Sequence, residues 1–93
     1  KVLDPSLKSQ LIDFGVNSGT YIATSKLQEI LKVPVDGILG PDTLHALKSF
    51  PPEYVNNRLV VARVKLIGRI VQKTPSQIKW LGGWLNRALD WLV

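Results

Sequence analysis

The stretch Val35-Asp36-Gly37-Ile38-Leu39-Gly40-Pro41-Asp42-Thr43-Leu44-His45-Ala46-Leu47 gathers residue types that shape a backbone for binding. Asp36-Gly37 is a strong turn signal, because an aspartate in a turn accepts nearby backbone N–H groups. Gly37 and Gly40 supply torsional freedom. Pro41 then opens a helix whose first N–H groups have no intrahelical partner. Ile38 and Leu39 add apolar anchors. The same features serve either an anion held at the helix start or a purely structural connector, and residue types alone leave both open.

A second group lies near the carboxy end. Trp80, Trp84 and Trp91 are four and seven residues apart, which puts them on one face of a continuous helix, with Arg87 between them. Leu81, Leu85, Ala88 and Leu92 form an adjacent apolar face. The indoles either close a small core, offer a stacking surface to a sugar ring, or meet another protein segment. Asn17 either caps its helix or bonds an N-acetyl group. Arg87 matches a carboxylate with its planar fork, or pairs with Asp90, or stacks on a tryptophan.

Catalytic chemistry finds little support. Glycoside hydrolysis needs two carboxyl groups flanking the bond. The acids are Glu29, Glu53 and five aspartates. Glu29 lies between Lys26 and Lys32 like an ordinary surface helical residue, and Glu53 lies in a first turn where the helix dipole favours an acid. His45 is the one histidine and there is no cysteine. No catalytic residue, metal-ligand set or cofactor site is therefore expected.

The elements that must position these groups read as helices. The first begins at Asp4-Pro5, buries Leu7, Leu11 and Phe14, and stops at Gly19. Thr20 is expected to cap the second, whose stripe is Ala23, Leu27, Ile30 and Leu31 and which ends before Pro34. A short third helix runs from Pro41 to about Ser49, with Leu44 and Leu47 inward, and Pro51-Pro52 punctuates it. The fourth runs from about Glu53 to Gln72. Val55, Leu59, Leu66 and Ile70 form its apolar side, and Arg58, Lys65, Arg69 and Lys73, with Arg63 nearby, form a basic side. Gly68 marks a weak point or a close helix approach. Thr74-Pro75-Ser76-Gln77 has the form of a capping box for the fifth helix, with a kink or break expected at Gly82-Gly83. Five helices with short links predict an all-α compact bundle, one domain over residues 1–93.

Composition bounds the partners. A 45% hydrophobic content in 93 residues supports one packed core rather than disorder. Apolar runs are short, so no membrane span is expected. No signal peptide is visible at Lys1, and the absence of an initiator methionine suggests a piece of a longer protein. The net charge of +5 comes entirely from residues 53–93, where seven basic residues face two acids. That excess suits an anionic partner or a solvated helix face.

Four segments then share one pattern. Asp36-Gly37-Ile38-Leu39-Gly40-Pro41-Asp42-Thr43-Leu44-His45-Ala46-Leu47 resembles the signature turn of bacterial peptidoglycan-binding domains. Leu11-Ile12-Asp13-Phe14-Gly15-Val16-Asn17-Ser18-Gly19 resembles the Val-Asn-x-Gly segment upstream of it. Leu27-Gln28 matches an intervening Leu-Gln pair, and Gly83-Trp84-Leu85-Asn86-Arg87 resembles a Gly-Trp-x-Asn-Arg segment. Together, over roughly residues 7 to 91, they resemble the predicted peptidoglycan-binding region of glycoside hydrolase family 108, N-acetylmuramidases of lysozyme-like fold. The resemblance implies that this bundle is part of such a fold. It implies a non-catalytic carboxy-terminal half that recognises a glycan strand or stem peptide. An upstream catalytic domain in cis would supply the general acid from a Glu-Gly-Gly-Tyr-type segment, and no Glu-Gly pair occurs here. Asn17, Asp36, Gly37, Gly40, Thr43, Trp84, Asn86 and Arg87 are the candidate ligand contacts, each with a structural role as its alternative. The expected location is the cell wall of a bacterium, the protein being bacterial or phage-encoded. A small basic nucleic-acid-binding domain is the alternative, disfavoured because the basic residues lie along one long helix and no clear recognition helix presents Asn, Gln and Arg together.

Overall fold

The computed structural model describes residues 5–92, the side chain of Ser6 excepted. The expected cap Asp4 lies outside the described residues. Helices α1 (Pro5–Ser18), α2 (Thr20–Leu31), α3 (Pro41–Leu47), α4 (Pro52–Lys73) and α5 (Leu81–Leu89) follow in order, with a 3-10 helix at Pro75–Trp80 between the last two. There is no strand among the described residues.

Helix α4 is the hub. It packs against α1, α2, the 3-10 segment and α5, while α1 packs on α2 and α2 on α3. Pro52 opens it, Glu53 lies in its first turn and Lys73 in its last, as the helix dipole favours. Its apolar stripe meets those of α1 and α2 in one core of Leu7, Phe14, Ala23, Leu27, Leu31, Val55 and Leu59. Phe50 stacks on Tyr54 with ring centroids 5.9 Å apart, securing the entry from α3 to α4.

The junction between α1 and α2 is one residue long. Gly19 takes φ +98, which an L side chain rarely adopts, so the chain reverses there with glycine and little else. The N-cap of α2 is Gly19 rather than Thr20, and no side chain caps it. At its other end Lys32 takes the left-handed conformation at φ 60. The Val33 N–H reaches the Gln28 carbonyl at 3.2 Å and Val33 packs on the core, the pattern of a Schellman stop with a lysine where glycine is usual.

Several expectations are corrected near the carboxy end. Thr74-Pro75-Ser76-Gln77 makes no side-chain cap and leads into a 3-10 helix. The break falls between Trp80 and Leu81, and Gly82 and Gly83 lie inside the first turn of α5. Trp80, Trp84 and Trp91 therefore do not share one continuous helix: they sit in the 3-10 segment, in α5 and in the turn beyond it. A Cβ at Gly68 would meet nothing within 4 Å, so no helix approaches closely there. Arg63 leaves the basic side of α4 and is buried.

Candidate functional site

The sequence-expected contacts fall into two groups. The first is built around Gln28 of α2, which is 1% exposed. Its Oε1 accepts the N–H groups of Asp36 at 3.1 Å and Gly37 at 3.0 Å. Its Nε2 lies within hydrogen-bonding distance of Asp36 Oδ1 (2.8 Å), the Ile38 carbonyl (2.9 Å) and Thr43 Oγ1 (3.0 Å), so its two protons are shared among three acceptors. Asp36 Oδ1 also accepts the Ile38 N–H at 2.9 Å. That bond, with the Gln28 amide second, holds the Asp36 carboxyl below its ordinary value of 3.8, against a smaller opposing effect of burial.

The elbow at 36–43 is thus a backbone loop folded over one glutamine. Gly37 takes φ +75, and a Cβ there would overlap the Tyr21 ring. Gly40 is the extended N-cap of α3; its N–H reaches the Ile38 carbonyl at 2.9 Å and its own carbonyl accepts the Leu44 N–H at 3.1 Å. In the sequence Leu27-Gln28 stands out only as part of a family pattern. A glutamine at a buried position of an apolar stripe was the signal that it organises something.

The second group is a pocket of about 120 Å³ between α1, α4 and α5, lined by Asn17, Ser18, Arg63, Trp84 and Arg87, with Leu66, Ile67 and Ile70 as its apolar wall. Asn17 Nδ2 donates to the Asp13 carbonyl at 2.8 Å, which turns its Oδ1 outward to accept Arg87 Nη1 at 2.8 Å. Asn17, Trp84 and Arg87 are thereby brought together from opposite ends of the chain. Among the described residues Arg87 makes no ion pair, with Asp90 or any other acid. Asn86 lies exposed on α5 beside it.

Arg63 was not singled out from the sequence, yet it floors this pocket. Its Nη2 pairs with Asp13 Oδ2 at 2.8 Å, and its guanidinium lies 5.2 Å from the Phe14 ring centroid. Its Nη1 is buried without a hydrogen-bond partner. Asp13 Oδ2 also accepts the Trp91 indole N–H at 3.2 Å, and the Trp91 carbonyl accepts Asn56 Nδ2. Asn56 in turn takes Gln10 Nε2 on its backbone carbonyl at 3.0 Å and on its side-chain oxygen at 2.6 Å. Trp91 is therefore a structural anchor. Trp80 is exposed with Lys79 Nζ 5.4 Å from its ring centroid, and Trp84 alone faces the pocket.

Three of the described acids have structural partners. Asp13 is committed to Arg63 and Trp91, Asp36 to the elbow, and Glu29 to Lys26 at 3.6 Å. Asp42 and Glu53 occupy exposed first turns, and Asp90 is exposed after α5. No group of three or more His, Cys, Asp or Glu able to hold a metal occurs among the described residues. No helix of the described residues is long and apolar enough to cross a membrane.

The fold has a known counterpart. Among solved structures, the chain is similar to SagA of Brucella abortus, with a TM-score of 0.73 and 25% identity over 96% of this chain and 53% of that one. The chain thus spans about half the length of that protein. No curated protein matches it. Residues 22–89, from the first turn of α2 to the end of α5 and including the elbow, Trp84 and Arg87, match the family described as "Predicted Peptidoglycan domain". The chain belongs to that family, and is an all-helical peptidoglycan-recognition module.

Proposed function

We propose that the pocket between α1, α4 and α5 is where this module meets the glycan strand. The observation that carries the reading is the Asn17–Arg87 bond. It fixes a guanidinium that has no acidic partner among the described residues beside a half-buried indole, above an apolar wall. Trp84 offers a face for a sugar ring. Arg87 and Asn17 offer donors to an N-acetyl oxygen or a muramyl carboxylate, and Asn86 lies within the same exposed turn of α5. Asp36, Gly37, Gly40 and Thr43 serve by holding the elbow in shape around Gln28, leaving the exposed Ile38 and Leu39 as apolar contacts.

In this reading the chain breaks no bond itself. It acts in cis with a muramidase half of glycoside hydrolase family 108 type, and together they form a lysozyme-like protein working at the bacterial wall, encoded by a bacterium or a phage. The cleft between α1 and α2 suits that partner: Ile12, Val16 and Leu39 leave an apolar surface there, with Val16 79% exposed.

Co-sedimentation with purified insoluble peptidoglycan, run beside duplex DNA binding across a salt series, tests the proposal. Retention on the wall polymer, reduced by Trp84→Ala, is the expected result. Binding to DNA with steep salt loss and no wall retention would replace it with nucleic-acid recognition.

A further inference from the structure

A groove of about 190 Å³ runs between α2 and α4. Arg58, Lys65 and Arg69 line one side and Lys26 the other, while Glu29 is the one acid. Glu29 is already paired with Lys26 at 3.6 Å. Among the described residues, Arg58, Lys65 and Arg69 have no carboxylate partner.

The three α4 cations are aligned by the helix itself. Steps of seven and eleven residues at about 100° each return within about 20° of the start, and eleven residues span about 16 Å. Lys65 and Arg69 are one turn apart, an unfavourable like-charge spacing on a helix. The row is therefore not explained by the stability of α4. Between the charges the floor is small and aliphatic: Ile30, Val61 and Ala62.

The geometry points to this groove as a second subsite, holding an extended acidic peptide with small side chains: the carboxylate-bearing peptide branch of the wall polymer. The inference rests on the peptidoglycan reading above and assigns the peptide to α2–α4 and the sugar to the α1–α4–α5 pocket. Methyl side chains match the aliphatic floor, and several carboxylates match several cations spread along one line. A single-stranded nucleic acid would need aromatic rings on which to stack its bases, and none lines this groove. A duplex would be read by a protruding element rather than a concave one.

The test uses the full chain and its variant R58E/R69E, both positions being exposed and outside the core. Probes are a synthetic stem tetrapeptide with free carboxyl groups, its fully amidated form, a single-stranded oligonucleotide, intact murein and peptide-stripped glycan strands. The expected result is free-acid binding at least about tenfold tighter than amidated, and about tenfold weaker in R58E/R69E. Retention of R58E/R69E on peptide-stripped glycan should match the unaltered chain, and its thermal melt should be unchanged. Equal peptide binding by R58E/R69E, or tighter binding of the oligonucleotide than of the peptide, overturns the assignment. Loss of retention by the unaltered chain on both murein and stripped glycan overturns the underlying reading instead.

Discussion

Arg87 donates from Nη1 to Asn17 Oδ1 at 2.8 Å, joining residues seventy positions apart across one small pocket. The bond is exposed, so it adds little to stability, but it fixes where a guanidinium points. Arg87→Ala is expected to change unfolding free energy by less than about 0.5 kcal/mol and to weaken retention on murein by about tenfold or more. Denaturant titration and co-sedimentation measure the two effects separately.

Gln28 carries the opposite balance. Its side chain is buried and serves the N–H groups of Asp36 and Gly37 together with Thr43. Gln28→Leu keeps the volume and removes every partner. A destabilisation of about 2–4 kcal/mol is expected in urea unfolding, since the elbow's polar groups lose their bonds at a site water reaches poorly.

The Asp36 carboxyl titrates below its ordinary 3.8 in the folded chain, chiefly because the Ile38 N–H bonds its charged form. A depressed folded value means stability that is fully present above the unfolded value and is lost as pH falls through the folded one. Thermal melts should therefore drop as pH falls below about 4, the unfolded aspartate range. Asp36→Asn should flatten that part of the curve and leave the slope at neutral pH unchanged.

Two left-handed residues predict effects of opposite sign. Lys32 holds φ 60 at the α2 stop, so Lys32→Gly should stabilise by about 1 kcal/mol. Gly37 holds φ +75 against the Tyr21 ring, so Gly37→Ala should destabilise by about 1–3 kcal/mol. Combining Gly37→Ala with Tyr21→Ala separates the cost of the clash from the cost of the torsion, because only the clash is relieved. Chemical denaturation of the unaltered chain, Lys32→Gly, Gly37→Ala, Tyr21→Ala and the double variant gives all of these values.

The helices were legible because their apolar stripes repeat at helical spacing and Pro5, Pro41 and Pro52 stand at or next to their starts. What periodicity did not show was which polar residues occupy those stripes for a purpose. Arg63 stands between Leu59 and Leu66 on the buried side of α4, and Gln10 between Leu7 and Phe14 on α1, so the positions pointed inward while the residue types pointed out. Their partners, Asp13 and Asn56, come from a different helix, and one sequence carries no direct mark of such pairing.

The tryptophans show a second limit. A regular spacing was read as one face, but it holds only within a continuous helix. Pro75 starts a 3-10 segment, and the register is lost before Leu81. The site residues divided for a related reason. Asn17, Trp84 and Arg87 meet because α1 and α5 both flank α4, whereas Asp36, Gly37 and Thr43 gather locally around Gln28.

The central claim is that the Asn17–Trp84–Arg87 pocket contacts peptidoglycan. Nuclear magnetic resonance titration of the labelled chain with a soluble disaccharide-peptide from murein tests it most directly. The account predicts shifts concentrated at the Asn17 amide, the Trp84 indole and the Arg87 side chain, and lost in Arg87→Ala. Shifts confined to other surfaces, or none at millimolar fragment, would contradict it.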